Sequence, residues 1–390
     1  KTCSLRSAPA GVADRMAPPG RRLPRGCVSI VLPLARSAYG GAPVLANPTW
    51  VLVQPPAGRY VPSVSFELRD FGPPPPLEQG FVRAKAVAMT TAPGLRGALS
   101  KLPPGRAPTI EQVVRVTESR SDKFPVGMHV HGYFPTQRVV TFHANQKLMK
   151  PVQVSAEVPV EKFLSIMSTN AGITAWYATE YVETGRVEAP CNKTVVVTSA
   201  ASATGMIAGQ LYKLKGCKVI GVTSTPAKAE RLMGLGGFDA VIPYRAQDLH
   251  TRLGQLAPEG IDIDFENVGG PQLEAIVHRM KMHGRVVLCG AIHEYDKAPA
   301  DYHGFKWLVL LIAKRIRMEG IHVNDIYSMN KWGDIAARMM PLIREGKLRS
   351  VETIVHGFSK WPDAMRMILD SKNIGRLVVL ADDDAARAEL

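Results

Sequence analysis

The sequence predicts an α/β protein in which a doubly wound parallel sheet of the Rossmann type is joined to a second, β-rich domain. From about residue 162 onward strands alternate with helices, which is the pattern of a parallel sheet covered by helices on both faces. Residues from about 48 to 142 instead form strand-like runs separated by proline and glycine. A chain of 390 residues is also long enough to form two domains.

The predicted elements follow this division. Strand-like runs of the first region are residues 50–53, 63–68, 81–88, 110–117 and 127–142, with an extended connector through the prolines at 73–76. The second region predicts strands at 193–200, 217–224, 239–243, 261–265 and 285–289, with helices from about 204, 226 and 271. An amphipathic stretch at 332–345, a helix at 361–369 and a strand at 376–380 complete the chain. We therefore expect domains at 46–165 and 166–325, and a return to the first domain within 326–390.

The two ends of the chain are treated separately from the fold. Residues 1–45 hold seven Lys or Arg and a single acid, Asp14. A leader that is rich in arginine and poor in acids resembles an organellar transit segment, and a disordered tail is an equal alternative. We expect a cytoplasmic protein, or a mitochondrial one if this segment is a transit peptide. The acidic tail from Asp382 to Asp384 is expected to be solvated.

Composition restricts the possible partners. The net charge of +14 is compatible with nucleic-acid binding, but the basic residues beyond the leader are scattered rather than arranged in a stripe, which argues against it. No apolar run approaches the roughly 18 residues of a membrane span. The five cysteines include no C-x-x-C pair, which favours a reducing compartment, and no Cys/His cluster has metal-ligand spacing. His129 and His131 share one strand face, either as ligands or as ordinary polar residues; we expect no metal site.

The segment from Lys193 to Ser224 predicts a dinucleotide site. It reads as a buried strand, a turn of small residues, a helix and a second buried strand, so that a pyrophosphate can approach the helix N-terminus. Bulk at Ser199, Ser202 or Gly205 would separate phosphate from helix or helix from strand. An NAD enzyme usually has an acidic residue after the second strand, whereas this chain has Thr223, Ser224 and Thr225, then Lys228 and Arg231. These residues suit the 2′-phosphate of NADP(H).

Several separated motifs share one resemblance. The motifs are residues 171–177 (AGITAWY), 198–210 (TSAASATGMIAGQ), 221–228, 237–244, 265–270 (FENVGG), 289–295 (CGAIHEY), 318–320 (MEG) and 373–376 (NIGR). Together they resemble the zinc-independent branch of the medium-chain dehydrogenase/reductases, in particular the group of prostaglandin, alkenal double-bond and curcumin reductases. The resemblance covers roughly residues 46–382 and implies a GroES-like catalytic domain beside the Rossmann domain.

The resemblance implies roles for individual residues. Lys228 and Tyr244 match residues that hold the 2′-phosphate, Asn267 lies near the ribose and nicotinamide, and Asn373 reaches the cofactor from the other domain. A solvated lysine, a half-buried aromatic and two turn-forming asparagines are the alternatives. The other expected cofactor contacts are Thr174, Ser202, Ala203, Thr204, Gly205, Thr223, Ser224, Cys289, Gly290 and Ile292. The family has glycine where Ser202 stands, which is harmless if φ is negative at that residue and costly if φ is positive.

The activity that the resemblance implies is reduction of the C=C bond of an α,β-unsaturated ketone or aldehyde by NADPH, without a metal. Hydride reaches the β-carbon while negative charge grows on the carbonyl oxygen, so a hydrogen-bond donor is required. Tyr295 matches the proposed catalytic tyrosine, with a packing role as its alternative. In residues 92–97 (APGLRG), Gly94 replaces a tyrosine that faces substrate, which predicts a wider pocket. Arg96 contacts either the substrate or an acid across the domains.

Two other functions remain open at this point. One is an NADPH quinone reductase of the same superfamily. The other is a catalytically weak NADPH-binding protein that also binds RNA through its basic surface. Family analogy implies a homodimer, whether the protein is an enone reductase or a quinone reductase.

Overall fold

The computed structural model describes residues 45–381, and its amino-terminal part is built mainly from short strands. The expected leader, except Leu45, and the acidic tail fall outside the described residues. The elements of this part are β1 (Pro48–Leu52), α1 (Pro62–Ser65), β2 (Phe66–Asp70), β3 (Phe81–Thr90), α2 (Leu95–Leu99), β4 (Thr109–Ser119), β5 (His129–Pro135), β6 (Val139–His143), β7 (Lys150–Val152) and α3 (Val160–Phe163).

The prediction of a strand over residues 63–68 is wrong at its start. The helix α1 occupies Pro62–Ser65, and only then does β2 begin at Phe66. Pro62 stands in the first turn of the helix, where its fixed φ suits helical geometry and its missing N–H has no intrahelical partner to lose. Alternation of polar and apolar residues over such a short span does not separate these two outcomes.

The middle of the chain alternates strands and helices, as predicted. Its elements are α4 (Gly172–Glu180), β8 (Thr194–Val197), α5 (Ala203–Leu214), β9 (Lys218–Thr223), α6 (Pro226–Met233), β10 (Ala240–Pro243), α7 (Leu249–Leu256), β11 (Ile261–Glu266), α8 (Gly270–Arg279), β12 (Met280–Leu288), α9 (Ile292–Tyr295), α10 (Leu308–Lys314) and β13 (Arg317–Gly320).

These strands form a six-stranded parallel sheet in the order β10-β9-β8-β11-β12-β13. This is the strand order of the Rossmann fold, so the predicted fold class is confirmed. The order reverses between β8 and β11, and a crevice opens outside the carboxyl ends of the strands at such a point. The loops after β8, β9, β11 and β12 therefore surround one cleft.

The remaining elements follow in chain order and join the strands of the amino-terminal part. They are α11 (Val323–Ser328), α12 (Trp332–Arg344), β14 (Glu352–His356), α13 (Trp361–Leu369) and β15 (Arg376–Leu380). The second large sheet has the order β14-β15-β3-β4-β5-β7, with β6 also paired to β3. Residues just before β15 thus lie beside the cleft of the parallel sheet.

One hydrophobic core connects the two sheets. It contains Val195 and Val197 of β8 together with Ala88 of β3 and Val113 of β4, and the helix α4 is almost wholly buried within it. Cys191 and Cys217 form a disulfide that the sequence did not predict, because its halves precede two strands that only the sheet brings together. No helix within residues 45–381 is long and apolar enough to span a bilayer.

Candidate cofactor and substrate cleft

A cleft of about 680 Å³ lies at the carboxyl ends of the parallel strands, with residues of the second sheet along its opposite side. Most of the residues predicted for the site line it. They are Gly94, Thr174, Ser202, Ala203, Thr204, Thr223, Ser224, Lys228, Tyr244, Asn267, Cys289, Gly290, Ile292, Tyr295 and Asn373. Gly205 and Arg96 lie behind the lining residues. Thr225 and Arg231 were expected near the 2′-phosphate, but the Thr225 side chain caps α6 and Arg231 lines a different pocket.

The turn between β8 and α5 forms one end of the cleft. Ser202 caps α5, its hydroxyl oxygen accepting from the N–H of Gly205 at 3.1 Å, and its φ is −79°. The left-handed residue of the turn is Ser199, with φ 46°, so the positive φ that would be costly at Ser202 belongs to a residue three positions earlier. Ser202 therefore fits its position without strain.

Gly205 shapes this turn without facing the cleft. A Cβ at that residue would meet the carbonyl oxygen of Ser199 at 2.5 Å and the Cα of Ala200 at 2.9 Å. The missing side chain lets α5 pack directly on the turn, which brings the first N–H groups of the helix to the cleft.

The wall beyond β9 is basic. Lys228 and Arg245 both line the cleft, and burial, followed by the charge of Arg245, lowers the pKa of Lys228. The Lys228 ammonium donates to the carbonyl oxygen of Ser371 at 2.7 Å and to its hydroxyl at 3.2 Å. Both of these acceptors are neutral oxygens, and no carboxylate among residues 45–381 forms a salt bridge with Lys228.

No aspartate or glutamate occurs among the described residues that line the cleft, whereas Lys228, Arg245 and Arg376 do. Arg376 is already paired with the buried Glu111, at 3.3 Å from its carboxylate. The uncompensated charge lies at Lys228 and Arg245. A cleft with this charge and a helix N-terminus favours a phosphorylated ligand.

The floor of the cleft is formed by the loops after β11 and β12. The Asn267 side-chain amide donates to the carbonyl oxygen of Thr198 at 2.8 Å, and the N–H of Ile292 donates to the Asn267 carbonyl at 3.1 Å. A Cβ on Gly290 would meet that same carbonyl at 3.1 Å. Asn267 therefore fixes the floor through a turn contact, while its side-chain oxygen remains available to a ligand.

Two buried carboxyl groups lie beneath the floor, Asp264 and Glu266 on β11. Burial raises the pKa of both, and the charge of Glu266 adds to the shift at Asp264. Glu266 accepts from the hydroxyl of Thr198 at 2.9 Å and from the N–H of Gly269 at 2.7 Å. Burial and this neighbour also raise the pKa of the Cys289 thiol to about 12, so the thiol stays neutral at physiological pH.

Tyr295 lies at the other end of the cleft, at the end of the short helix α9. Its hydroxyl oxygen accepts from the N–H of Ala291 at 3.1 Å, which leaves the hydroxyl proton free to donate. Burial raises the pKa of Tyr295, and the Ala291 contact partly opposes that shift. A protonated phenol with a fixed oxygen is a hydrogen-bond donor throughout the neutral range.

The following residue connects α9 to the other sheet. Asp296 accepts from Arg366 at 2.6 Å and from the N–H of Tyr60 at 2.7 Å, and Arg96 lies 3.8 Å away. The Arg96 guanidinium donates to the carbonyl oxygen of Gly58 at 2.6 Å and is almost fully buried. Of the two readings of Arg96, the structure supports the ion pair between the two parts of the molecule rather than substrate contact.

The opposite wall contains Gly94 and Asn373. Nothing lies within 4 Å of a Cβ built on Gly94, so the space where the family has a tyrosine is open. The Asn373 amide donates to the Gly375 carbonyl at 2.7 Å, and the N–H of Gly375 donates to Ala201 at 2.7 Å. This segment is therefore hydrogen-bonded to the turn before α5.

Sequence reasoning missed several lining residues. Ser371, Asn170 and His293 all line the cleft. Asn170 and His293 adjoin motifs that were recognised, at residues 171–177 and within 289–295, so proximity to a motif was a usable signal. Ser371 lies in no motif, and only the folded chain brings it to Lys228.

Comparisons with known proteins agree with this geometry. A family model described as zinc-binding dehydrogenase matches residues 203–345. Prostaglandin reductase 1 of Mus musculus is 32% identical over 313 residues, which is 79% of this chain and 91% of the relative. The NADP(+)-dependent 2-alkenal reductase of Nicotiana tabacum is 34% identical over 278 residues, which is 71% of this chain and 78% of that protein.

The fold has a solved counterpart that contains a cofactor. The crystal structure of CurA from Vibrio vulnificus in complex with NADPH aligns with a TM-score of 0.76 at 29% identity, over 86% of this chain and 99% of that one. Although the matching family model is described as zinc-binding, residues 45–381 contain no group of three or more His, Cys, Asp or Glu side chains that could hold a metal ion.

Proposed function

This chain belongs to the zinc-independent branch of the medium-chain dehydrogenase/reductase superfamily, in the group that contains prostaglandin and alkenal reductases, and we propose that it reduces the C=C bond of α,β-unsaturated ketones or aldehydes with NADPH. The observation that carries this proposal is the cleft itself, which is basic at one end and has a half-buried tyrosine donor at the other.

The residues present fit NADP(H). Lys228 and Arg245 supply charge for a 2′-phosphate at the end of β9, where an acid would repel it. The N-terminus of α5 suits the pyrophosphate, and Asn267, Gly290 and Ile292 would lie along the ribose and nicotinamide. When bound, NADPH supplies the hydride for the reaction.

Tyr295 is the proposed hydrogen-bond donor of the site. As hydride arrives at the β-carbon, the electrons of the C=C bond move toward the carbonyl oxygen and form an enolate. The Tyr295 hydroxyl donates a hydrogen bond to that oxygen, since its own oxygen is already held by the Ala291 N–H. A proton from water then adds to the α-carbon and completes the saturated product, while Tyr295 keeps its own proton.

Gly94 is proposed to widen the substrate end. The open space at its Cβ position leaves room for a substrate that is bulky on the carbonyl side. We therefore expect enones with large substituents to be reduced at least as well as short alkenals.

A panel of alkenals, bulky enones and quinones, assayed by NADPH oxidation with product analysis, tests the proposed reaction. The expected result is a saturated carbonyl product from the enones and a preference for NADPH over NADH. Reduction of quinones alone would instead favour the quinone reductase function, and no turnover of any compound would contradict an enzymatic role.

We also propose a homodimer. The helix α10 leaves Leu308, Val309 and Ile312 strongly exposed, between 62% and 76%, and β13 forms the edge of the parallel sheet. An exposed apolar helix beside an open strand edge is typical of a protein interface. Light scattering of the wild type and of a Val309→Asp/Ile312→Asp variant is expected to show a dimer and a monomer, respectively; a monomeric wild type would contradict the proposal.

A further inference from the structure

Ser371 is a lining residue to which no motif assigns a role. It follows α13 and has the left-handed φ of 57°, which is uncommon for a residue with a side chain. Among the described residues that line the cleft, Ser199 is the other non-glycine residue with positive φ, and it stands in the phosphate turn. Backbone strain of this kind concentrates at functional sites, where surrounding contacts hold it in place.

The hydroxyl and the carbonyl oxygen of Ser371 both contact the basic wall. Its carbonyl and hydroxyl oxygens accept from the Lys228 ammonium at 2.7 and 3.2 Å. Its hydroxyl also lies 3.3 Å from the hydroxyl of Ser224, to which it donates. Ser371 therefore contacts two residues expected at the 2′-phosphate, although more than 140 residues separate it from either.

The neighbouring acid does not disturb this arrangement. Asp370 is paired with Arg366 at 2.7 Å, and Lys372 lies 3.8 Å from its other oxygen. Since Asp370 does not line the cleft, its charge is turned to these partners rather than to the basic wall. The segment 370–372 thus presents a hydroxyl and a carbonyl to Lys228.

We propose that Ser371 is a specificity-determining residue for NADP(H), which rests on the cofactor of the proposed function. Its hydroxyl accepts from the Lys228 ammonium and donates to the Ser224 hydroxyl, which leaves the proton of Ser224 free to donate to the 2′-phosphate. The left-handed backbone aims the Ser371 hydroxyl at the basic wall. A residue that follows α13 thereby positions two residues of the Rossmann domain that are expected to bind the phosphate.

Two substitutions separate recognition from backbone strain. Ser371→Ala removes the hydroxyl and keeps a Cβ in the left-handed region, whereas Ser371→Gly removes the hydroxyl and relieves the strain. Both variants are expected to bind NADPH and 2′,5′-ADP about tenfold more weakly, as for a lost hydrogen bond to a charged group, with NADH affinity within twofold of wild type. The glycine variant is also expected to have a raised Tm, a combination that a purely structural role would not give.

His283→Gly is the matched control. His283 also has a positive φ, 61°, but is exposed and lies outside the cleft. This variant is expected to gain in Tm and to bind both cofactors as wild type does. Calorimetric titration with NADPH, NADH and 2′,5′-ADP gives the readout for all three variants.

The outcomes are distinct. If wild type prefers NADPH but both Ser371 variants keep its preference within twofold, the inference is overturned. Equal loss of NADPH and NADH also overturns it, because the residue would then serve cleft shape alone. If wild type itself shows no preference for NADPH, the proposed cofactor fails instead.

Discussion

The two ends of the cleft are built on opposite principles. At the phosphate end Lys228, Ser224 and Ser371 form a connected set of hydrogen bonds, so recognition depends on groups that are present. At the substrate end Gly94 leaves open space and Tyr295 supplies a single donor. We therefore propose that side chains which are present select the cofactor, whereas the absence of a side chain at Gly94 selects the substrate.

Removal of the donor at the substrate end is expected to have the largest effect. Tyr295→Phe should lower kcat by about 100-fold, since an oxyanion donor contributes on that scale, while NADPH affinity is retained. Steady-state kinetics and a cofactor titration measure the two quantities. Tyr302→Phe, at an exposed tyrosine outside the cleft, is the control and should leave both unchanged. If Tyr295→Phe kept the wild-type kcat, Tyr295 would be excluded as the hydrogen-bond donor to the carbonyl oxygen.

At the phosphate end, Lys228→Ala should act on binding instead of turnover. The KM for NADPH is expected to rise by about tenfold or more, as for a lost charge-assisted contact, with little change for NADH or for kcat. Lys147→Ala, at an exposed lysine outside the cleft, provides the control. An equal change in KM for NADH and NADPH would show that Lys228 does not bind the 2′-phosphate. The contrast between the two ends of the cleft would then no longer hold.

Filling the open space tests whether an absent side chain selects the substrate. Gly94 has a φ of −62° and no neighbour within 4 Å of a Cβ, so Gly94→Tyr should fold normally. Its kcat/KM is expected to fall by about tenfold for bulky enones and far less for short alkenals. Gly97→Tyr is the control, since Gly97 is equally uncrowded but does not line the cleft. A uniform change across substrates would contradict selection by size.

The smallest effect is expected from a substitution beneath the floor of the cleft, at Asp264, where the change in Tm depends on pH. The raised pKa of Asp264 means that its protonated form stabilises the fold below the unfolded value of about 4, and that this contribution is lost as pH rises through the folded pKa. Asp264→Asn should therefore match wild type in Tm near pH 4 and exceed it by about 2 °C at pH 8. The exposed Asp301→Asn should show no such trend; a Tm difference that is independent of pH would refute the assignment.

Local patterns predicted the half of the site that lies on consecutive elements. The unit β8-α5-β9 was predicted because a turn of small residues follows a buried run of β-branched ones and a second buried run follows the helix. The contacts of Ser371 were not predictable, since a left-handed serine after α13 reaches Lys228 only when the two sheets pack together. The disulfide was missed because Cys191 and Cys217 precede two strands that come together only through pairing within the parallel sheet.

One prediction was wrong and two were left open, and each outcome has a local cause. Residues 63–68 alternate like a strand, yet Pro62 starts a helical turn there. The sign of φ at Ser202 was left open, and it is negative because the left-handed residue of the turn is Ser199. Arg96 was left open between substrate and an acid, and Asp296 and Gly58 hold it behind the cleft.

Gly375 connects the segment before β15 to the turn between β8 and α5. Its N–H donates to Ala201, it bridges to Ser202, and a Cβ there would overlap the Val351 carbonyl at 1.7 Å. The pairing of β14 with β15 thus depends on the absence of a side chain at Gly375. The shape of the turn that is expected to bind the pyrophosphate depends on it as well. Binding of the coenzyme at this turn should consequently protect β15 from proteases and from hydrogen exchange. Coenzyme binding and the local stability of β15 are then thermodynamically linked.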